Sequence, residues 1–136
     1  VALPTLGAKL VEPTRRSVAE SQAIVLMDRI AQAEKAYLEA KVRDIDGDGV
    51  FDYADLPTLL AWDGLKVPIE MSPEHLDHYR YQLEVVASGT GRPRFTCVVE
   101  PLVRRGLKGR AFSTNELGQR RFTIDGARPT AQSPEL

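Results

Sequence analysis

The chain has 136 residues, enough for one domain with a modest hydrophobic core. Its 18 basic and 19 acidic residues nearly balance, which argues against a surface for nucleic acid or an anionic membrane. Cys97 is the single cysteine, so a disulfide within the chain is excluded.

The first predicted element is a long amphipathic helix that reaches about Arg43. Small and apolar residues recur along it at spacings of three and four, with charged residues between them. We expect Glu34 to lie on the exposed side. The face predicted to cover a sheet comprises Ile30, Ala33, Tyr37 and Ala40.

An acidic loop follows the helix, and its residues 44–55 read DIDGDGVFDYAD. Acids fall at positions one, three, five, nine and twelve of a calcium loop, with glycine at position six, where the backbone must turn sharply. Asp55 replaces the usual glutamate at position twelve with a shorter side chain. The predicted ligands are the carboxylates of Asp44, Asp46, Asp48, Asp52 and Asp55 and the backbone carbonyl of Val50.

The acidic loop has a second interpretation, an Asp/Gly turn followed by an aspartate that caps a helix. Turn chemistry alone does not require acids at all five positions that supply a side chain, so the calcium loop is favoured. Because its carboxylates repel one another, we expect the metal-free loop to be poorly ordered. A short helix over Leu56 to Trp62 is predicted next, with Pro57 tolerated in its first turn.

The second half of the chain has strand periodicity. Alternating apolar residues predict strands from Tyr79 to Val85 and from Phe95 to Val99, joined by a glycine-rich loop. Two shorter strands are predicted over residues 111–114 and 121–125, with a turn at 115–118 and an irregular tail from Gly126. Short connections indicate an antiparallel meander, and its apolar face needs a cover that the long helix can provide.

Signals for catalysis are weak. His75 and His78 lie near two acids, but the sequence offers no matching third ligand for zinc, and a surface segment after a helix start at Ser72 is the better interpretation. Cys97 falls on the inward phase of its strand, which favours packing over a role as nucleophile. We therefore expect no enzyme activity.

Several segments resemble type IV pilins and the pseudopilins of type II secretion. Val1-Ala2-Leu3-Pro4 before a long amphipathic helix is similar to the place where the pilin helix leaves the membrane. The run Gly109-Arg110-Ala111-Phe112, the turn Asn115-Glu116-Leu117-Gly118 and the tail Pro129-Thr130-Ala131 resemble the C-terminal part of such proteins. Asp52-Tyr53-Ala54-Asp55-Leu56 after the helix is similar to their acidic loops, and its Asp-Leu ending also resembles the calcium loops of dockerins.

The resemblance implies one pilin-like domain over residues 1–136, with a stalk helix at 1–43, a calcium loop and short helix at 44–62, and an antiparallel sheet at 79–125. The family's processing site and membrane-spanning half-helix are not in this sequence, so both are expected upstream of Val1. The implied fold is α+β, and the implied function is a calcium-stabilised structural subunit of a type IV pilus or secretion pseudopilus. Its partners would be copies of itself or other pilin-like subunits in the bacterial cell envelope: inner membrane and periplasm, or an extracellular filament.

The main alternative is a calcium-dependent binding module, either dockerin-like or adhesive. Dockerins usually carry two copies of the loop, and this sequence contains one.

Overall fold

The computed structural model describes residues 15–43, 47, 49–65, 69–87, 92–102 and 109–136. Within them, one long helix and a four-stranded antiparallel sheet confirm the predicted α+β arrangement. The helices are α1 (Arg15–Glu39), α2 (Leu56–Ala61) and α3 (Pro73–His78). The strands are β1 (Tyr79–Val86), β2 (Arg94–Pro101), β3 (Ala111–Asn115) and β4 (Arg121–Thr123).

The sheet is a meander in which each strand pairs with the next one along the chain. Leu83 lies opposite Cys97 in the β1–β2 pair, and Val99 lies opposite Phe112 in the β2–β3 pair. The predicted turn after β3 is confirmed, since the Gly118 amide donates to the Asn115 carbonyl at 3.0 Å. This register places Tyr81, Val99 and Phe112 on one face, whereas Val98, which is also buried, falls on the other face of β2.

The last strand is shorter than predicted, ending at Thr123 rather than Asp125. The Asp125 carboxylate accepts a hydrogen bond from the Ala127 amide at 3.1 Å, a side-chain turn that competes with strand pairing. The tail then returns along the edge of β4, where the Phe122 amide donates to the Pro134 carbonyl at 3.1 Å.

The core lies between α1 and the sheet. Met27, Ile30 and Tyr37 of α1 are buried and belong to one cluster with Val99 and Phe112 of the sheet. The prediction for Ile30, Ala33 and Tyr37 is confirmed, and these side chains are buried. The prediction for Ala40 was wrong, because α1 ends at Glu39 and Ala40 is exposed.

The prediction for Glu34 was wrong as well, and by more. It was expected on the exposed side of the helix, but its side chain is fully buried. Ile30, Glu34 and Tyr37 occupy the i, i+4 and i+7 positions of one helical stripe, so the spacing itself places Glu34 in the core. Its charge had suggested the opposite side, and the helical spacing was the signal that would have found it.

A second acid joins α1 to the sheet. Glu20 is almost completely buried, and its carboxylate accepts from the Arg110 amide at 3.3 Å and from the Arg110 Nε at 3.2 Å. The guanidinium carbon of Arg110 also lies 5.3 Å from the ring centre of Phe112 and 5.6 Å from that of Phe122. Arg110 therefore connects the helix to two strands through charge and through cation–π contact.

Among the helices that the structure describes, none combines the length and apolar character that crossing a bilayer requires.

Candidate metal site

The loop of residues 44–55 begins where α1 has ended. Lys41 adopts a left-handed backbone conformation with φ of 53°, which terminates the helical path. Two residues later the Arg43 carbonyl accepts a hydrogen bond from the Asp52 amide at 2.9 Å. This bond closes the base of the loop, so the chain leaves and returns at nearly the same point.

The glycines of the loop occupy backbone conformations that other residues avoid. Gly49, at the predicted turning position, has φ of 83°, and Gly47 has φ of 69°. A Cβ added at either position would meet no atom within 4 Å. The positive φ angle therefore favours glycine at both positions, and the space around them does not.

The predicted ligands are only partly within the described residues. Asp44, Asp46 and Asp48 lie outside them. The three that are described differ in environment, since Val50 and Asp55 are exposed whereas Asp52 has 1% of its surface accessible. Within the described part of the chain, no group of three or more His, Cys, Asp or Glu side chains is arranged to hold a metal ion.

Asp55 is the N-cap of α2. Its Oδ1 accepts from the Thr58 amide at 2.9 Å, and hydrogen bonds from the side chain and backbone of Thr58 lower the pKa of the Asp55 carboxyl. This is the capping role of the alternative interpretation. A carboxylate offers about four lone-pair sites, however, so one capping bond is compatible with metal ligation by the same side chain.

Residues 52–54, which we call the return segment, carry the loop back into the core. Tyr53 packs edge-on against Phe95 of β2, with ring centres 4.8 Å apart. Ala54 is buried, and its amide donates to Glu34 Oε1 of α1 at 2.9 Å. The return segment is thus held by the sheet on one side and by the helix on the other.

Glu34 has an unusual environment for a carboxyl group. The bond from Ala54 satisfies one oxygen, and the other, Oε2, is buried without a hydrogen-bond partner. Burial raises the pKa of Glu34 from 4.5 to about 8; the Ala54 hydrogen bond opposes this rise, and the charge of Asp55 adds to it. Glu34 is therefore mainly protonated near neutral pH.

α2 continues the connection between the loop and the core. Leu59 is fully buried in the cluster that α1 forms with the sheet. Trp62, directly after α2, packs edge-on against Tyr37 of α1 with ring centres 5.3 Å apart. The predicted short helix is confirmed, one residue shorter than expected.

Cys97 and His75, the other candidate residues, make contacts that stabilise the fold. Cys97 is fully buried, and burial raises the pKa of its thiol to about 12, which suppresses the reactive thiolate. His75 forms a capping box with Ser72, its Nδ1 lying 2.7 Å from the Ser72 Oγ. The His75 ring also faces Tyr81 edge-on at 6.4 Å.

No protein-family model matches the chain, and comparisons with curated proteins and with solved structures gave no match.

Proposed function

We propose that this chain is the globular part of a structural subunit in a type IV pilus or type II secretion pseudopilus, and that calcium held by residues 44–55 stabilises it. The observation that carries the proposal is the loop itself: a glycine with φ of 83° at the turning position and a base closed by the Arg43–Asp52 hydrogen bond. Asp44, Asp46, Asp48, Asp52 and Asp55 would supply carboxylates, and Val50 its carbonyl oxygen.

Calcium would neutralise mutual repulsion among the loop acids. Two contacts within the protein hold the return segment in place, since Glu34 attaches it to α1 and Phe95 attaches it to the sheet. An ordered loop would then fix the connection between α1 and the sheet and give neighbouring subunits a defined surface.

The long helix packed on one sheet supports a subunit role over a dockerin-like module. A dockerin-like contact face would need apolar residues of the loop and α2 for a partner. Here Leu59 of α2 is fully buried in the chain's own core and Leu60 is 40% exposed, so this helix of 6 residues offers a partner little apolar surface.

Calcium binding is tested by thermal unfolding with chelator and with millimolar calcium. Calcium should raise the unfolding temperature by mass action, and Asp48→Ala should remove the increase. Asp63→Ala is a matched control, since it removes an exposed acid outside the loop and should leave the increase intact. Identical transitions of the unaltered protein in both conditions would contradict the proposal.

Assembly is tested by placing an apolar helix before Val1. The chain alone should be at most weakly self-associating, whereas the fused protein should insert into membranes and form fibres through head-to-tail contacts. Stoichiometric, calcium-dependent capture of a separate protein through residues 44–62, without any upstream helix, would favour the binding module instead.

A further inference from the structure

Glu34 is a carboxyl group in a position that an apolar side chain would normally fill. Its neighbours on the same helical stripe, Ile30 and Tyr37, are buried hydrophobic residues. Burying a polar atom without a partner is costly, and Glu34 Oε2 is such an atom. Packing alone therefore does not account for a carboxyl group here.

The contact that Glu34 does make is directed at the calcium loop. Its Oε1 accepts from the Ala54 amide at 2.9 Å. Ala54 lies between Asp52 and Asp55, two predicted ligands, and it is itself buried. Without an acceptor on α1, the Ala54 amide would be a buried, unsatisfied donor and the return segment would have reason to move.

The other contacts of the region complete a fixed frame. The Asp52 amide is bound to the Arg43 carbonyl, and the Asp55 carboxylate caps α2. The bond from Ala54 to Glu34 is the one among these that ties the frame to the middle of α1, within the core. It thus sets how far the predicted ligands at the end of the loop stand from the helix.

We propose that Glu34 is a positioning residue for the calcium loop. Its carboxyl oxygen holds the Ala54 backbone, and this keeps Asp52 and Asp55 at a fixed distance from α1 and in a fixed orientation. This inference rests on the proposed calcium function. Residues that orient metal ligands through hydrogen bonds typically change metal affinity by about 10–100-fold when they are removed.

The pKa of Glu34, raised to about 8 by burial, makes glutamine a suitable conservative replacement. At neutral pH the carboxyl group is mainly uncharged, and the glutamine amide oxygen can accept the same bond from Ala54. Leucine has a similar volume but no acceptor. The two variants thus separate the hydrogen bond from the bulk of the side chain.

The test is a calorimetric calcium titration at neutral pH of the unaltered protein, Glu34→Gln, Glu34→Leu and Met27→Ala. Met27→Ala is the control, because it opens a cavity on the same buried face of α1 and leaves the hydrogen bond from Ala54 to Glu34 in place. We expect Glu34→Gln to retain the affinity within about threefold and Glu34→Leu to weaken it by about tenfold or more. Met27→Ala should lower the unfolding temperature while keeping the affinity.

Three results would overturn the inference: unchanged affinity in Glu34→Leu, equal loss in Met27→Ala, or loss in Glu34→Gln as large as in Glu34→Leu. A flat titration of the unaltered protein is a separate result, because it contradicts the calcium function itself and the inference with it. If Glu34→Leu does not fold, Glu34→Met takes its place, because its unbranched side chain also lacks an oxygen acceptor for the Ala54 amide. It should show the same loss of affinity, and unchanged affinity contradicts the inference.

Discussion

Replacing the buried Glu34 by glutamine should change how stability depends on pH. Burial raises the pKa of Glu34 from 4.5 to about 8 in the folded chain, whereas the unfolded chain ionises near the lower value. Between these two pH values the folded state binds more protons than the unfolded state. The contribution of Glu34 to stability is therefore complete below about pH 4.5 and is lost progressively up to about pH 8.

The size of the effect follows from the difference between the two pKa values. Each pKa unit corresponds to about 1.4 kcal/mol, so the contribution that is lost amounts to at most about 5 kcal/mol. Glutamine does not titrate, and its variant should lack this slope. Relative to the unaltered protein, the free energy of unfolding of Glu34→Gln should increase by up to about 1.4 kcal/mol for each pH unit over that range.

Urea unfolding in chelator, repeated from about pH 5 to about pH 8, measures this difference. Glu84→Gln is the matched control, because Glu84 is exposed and its pKa is lowered by the hydrogen bond from Arg128. That variant should run parallel to the unaltered protein over the same pH range. If Glu34→Gln also runs parallel, Glu34 ionises normally in the folded chain and the reasoning is refuted.

Three further substitutions test the packing, the loop and the connection between helix and sheet. Ile30→Ala should cost about 2–5 kcal/mol of unfolding free energy because it leaves a cavity at a fully buried site. Val25→Ala, at a residue 51% exposed, should change the unfolding free energy by less than about 0.5 kcal/mol, and equal effects of the two substitutions would show that the core face of α1 is assigned wrongly. Gly49→Ala should cost about 1–2 kcal/mol through its φ of 83°, since the added methyl group meets no atom within 4 Å, and an unchanged unfolding curve in calcium would contradict that backbone conformation. A double-mutant cycle of Glu20→Gln and Arg110→Met, each of which removes one charge of the pair, should give a coupling energy of about 0.5–3 kcal/mol in urea, and strictly additive effects would show that the ion pair does not hold the helix.

The sequence was sufficient where one local signal decides the structure. Alternation of apolar and polar residues placed Tyr79 and Tyr81 on the inner face of β1 and Cys97 and Val99 on that of β2. Both strands form as predicted. In β1 a slip of one residue would move the apolar side chains to the other face, so only one register hides them. The position of α2 was predicted equally well, since its capping hydrogen bond joins Asp55 to Thr58, only three residues away in the sequence.

Prediction from sequence failed where a distant partner decides. The helical spacing indicates that Glu34 faces the core, but its carboxyl oxygen accepts a hydrogen bond from the Ala54 amide, 20 residues farther along the chain, and no local pattern predicts that partner. The pairing of Pro134 with Phe122 likewise uses backbone groups, which every residue type carries and which leave no pattern in the sequence. For the candidate site, the sequence supplied the acids and the glycines, but it did not supply the side chain that anchors the return segment.

The two buried acids of α1 also restrict insertions and deletions in the part of the helix that lies between them. Glu20 and Glu34 lie on one face of the helix, roughly 21 Å apart along its axis at about 1.5 Å per residue. Inserting or deleting one residue between them would rotate one carboxylate by about 100° away from its partner, Arg110 or Ala54. Substitutions on the exposed face of this segment are tolerable, but its number of residues is fixed by the two contacts at its ends.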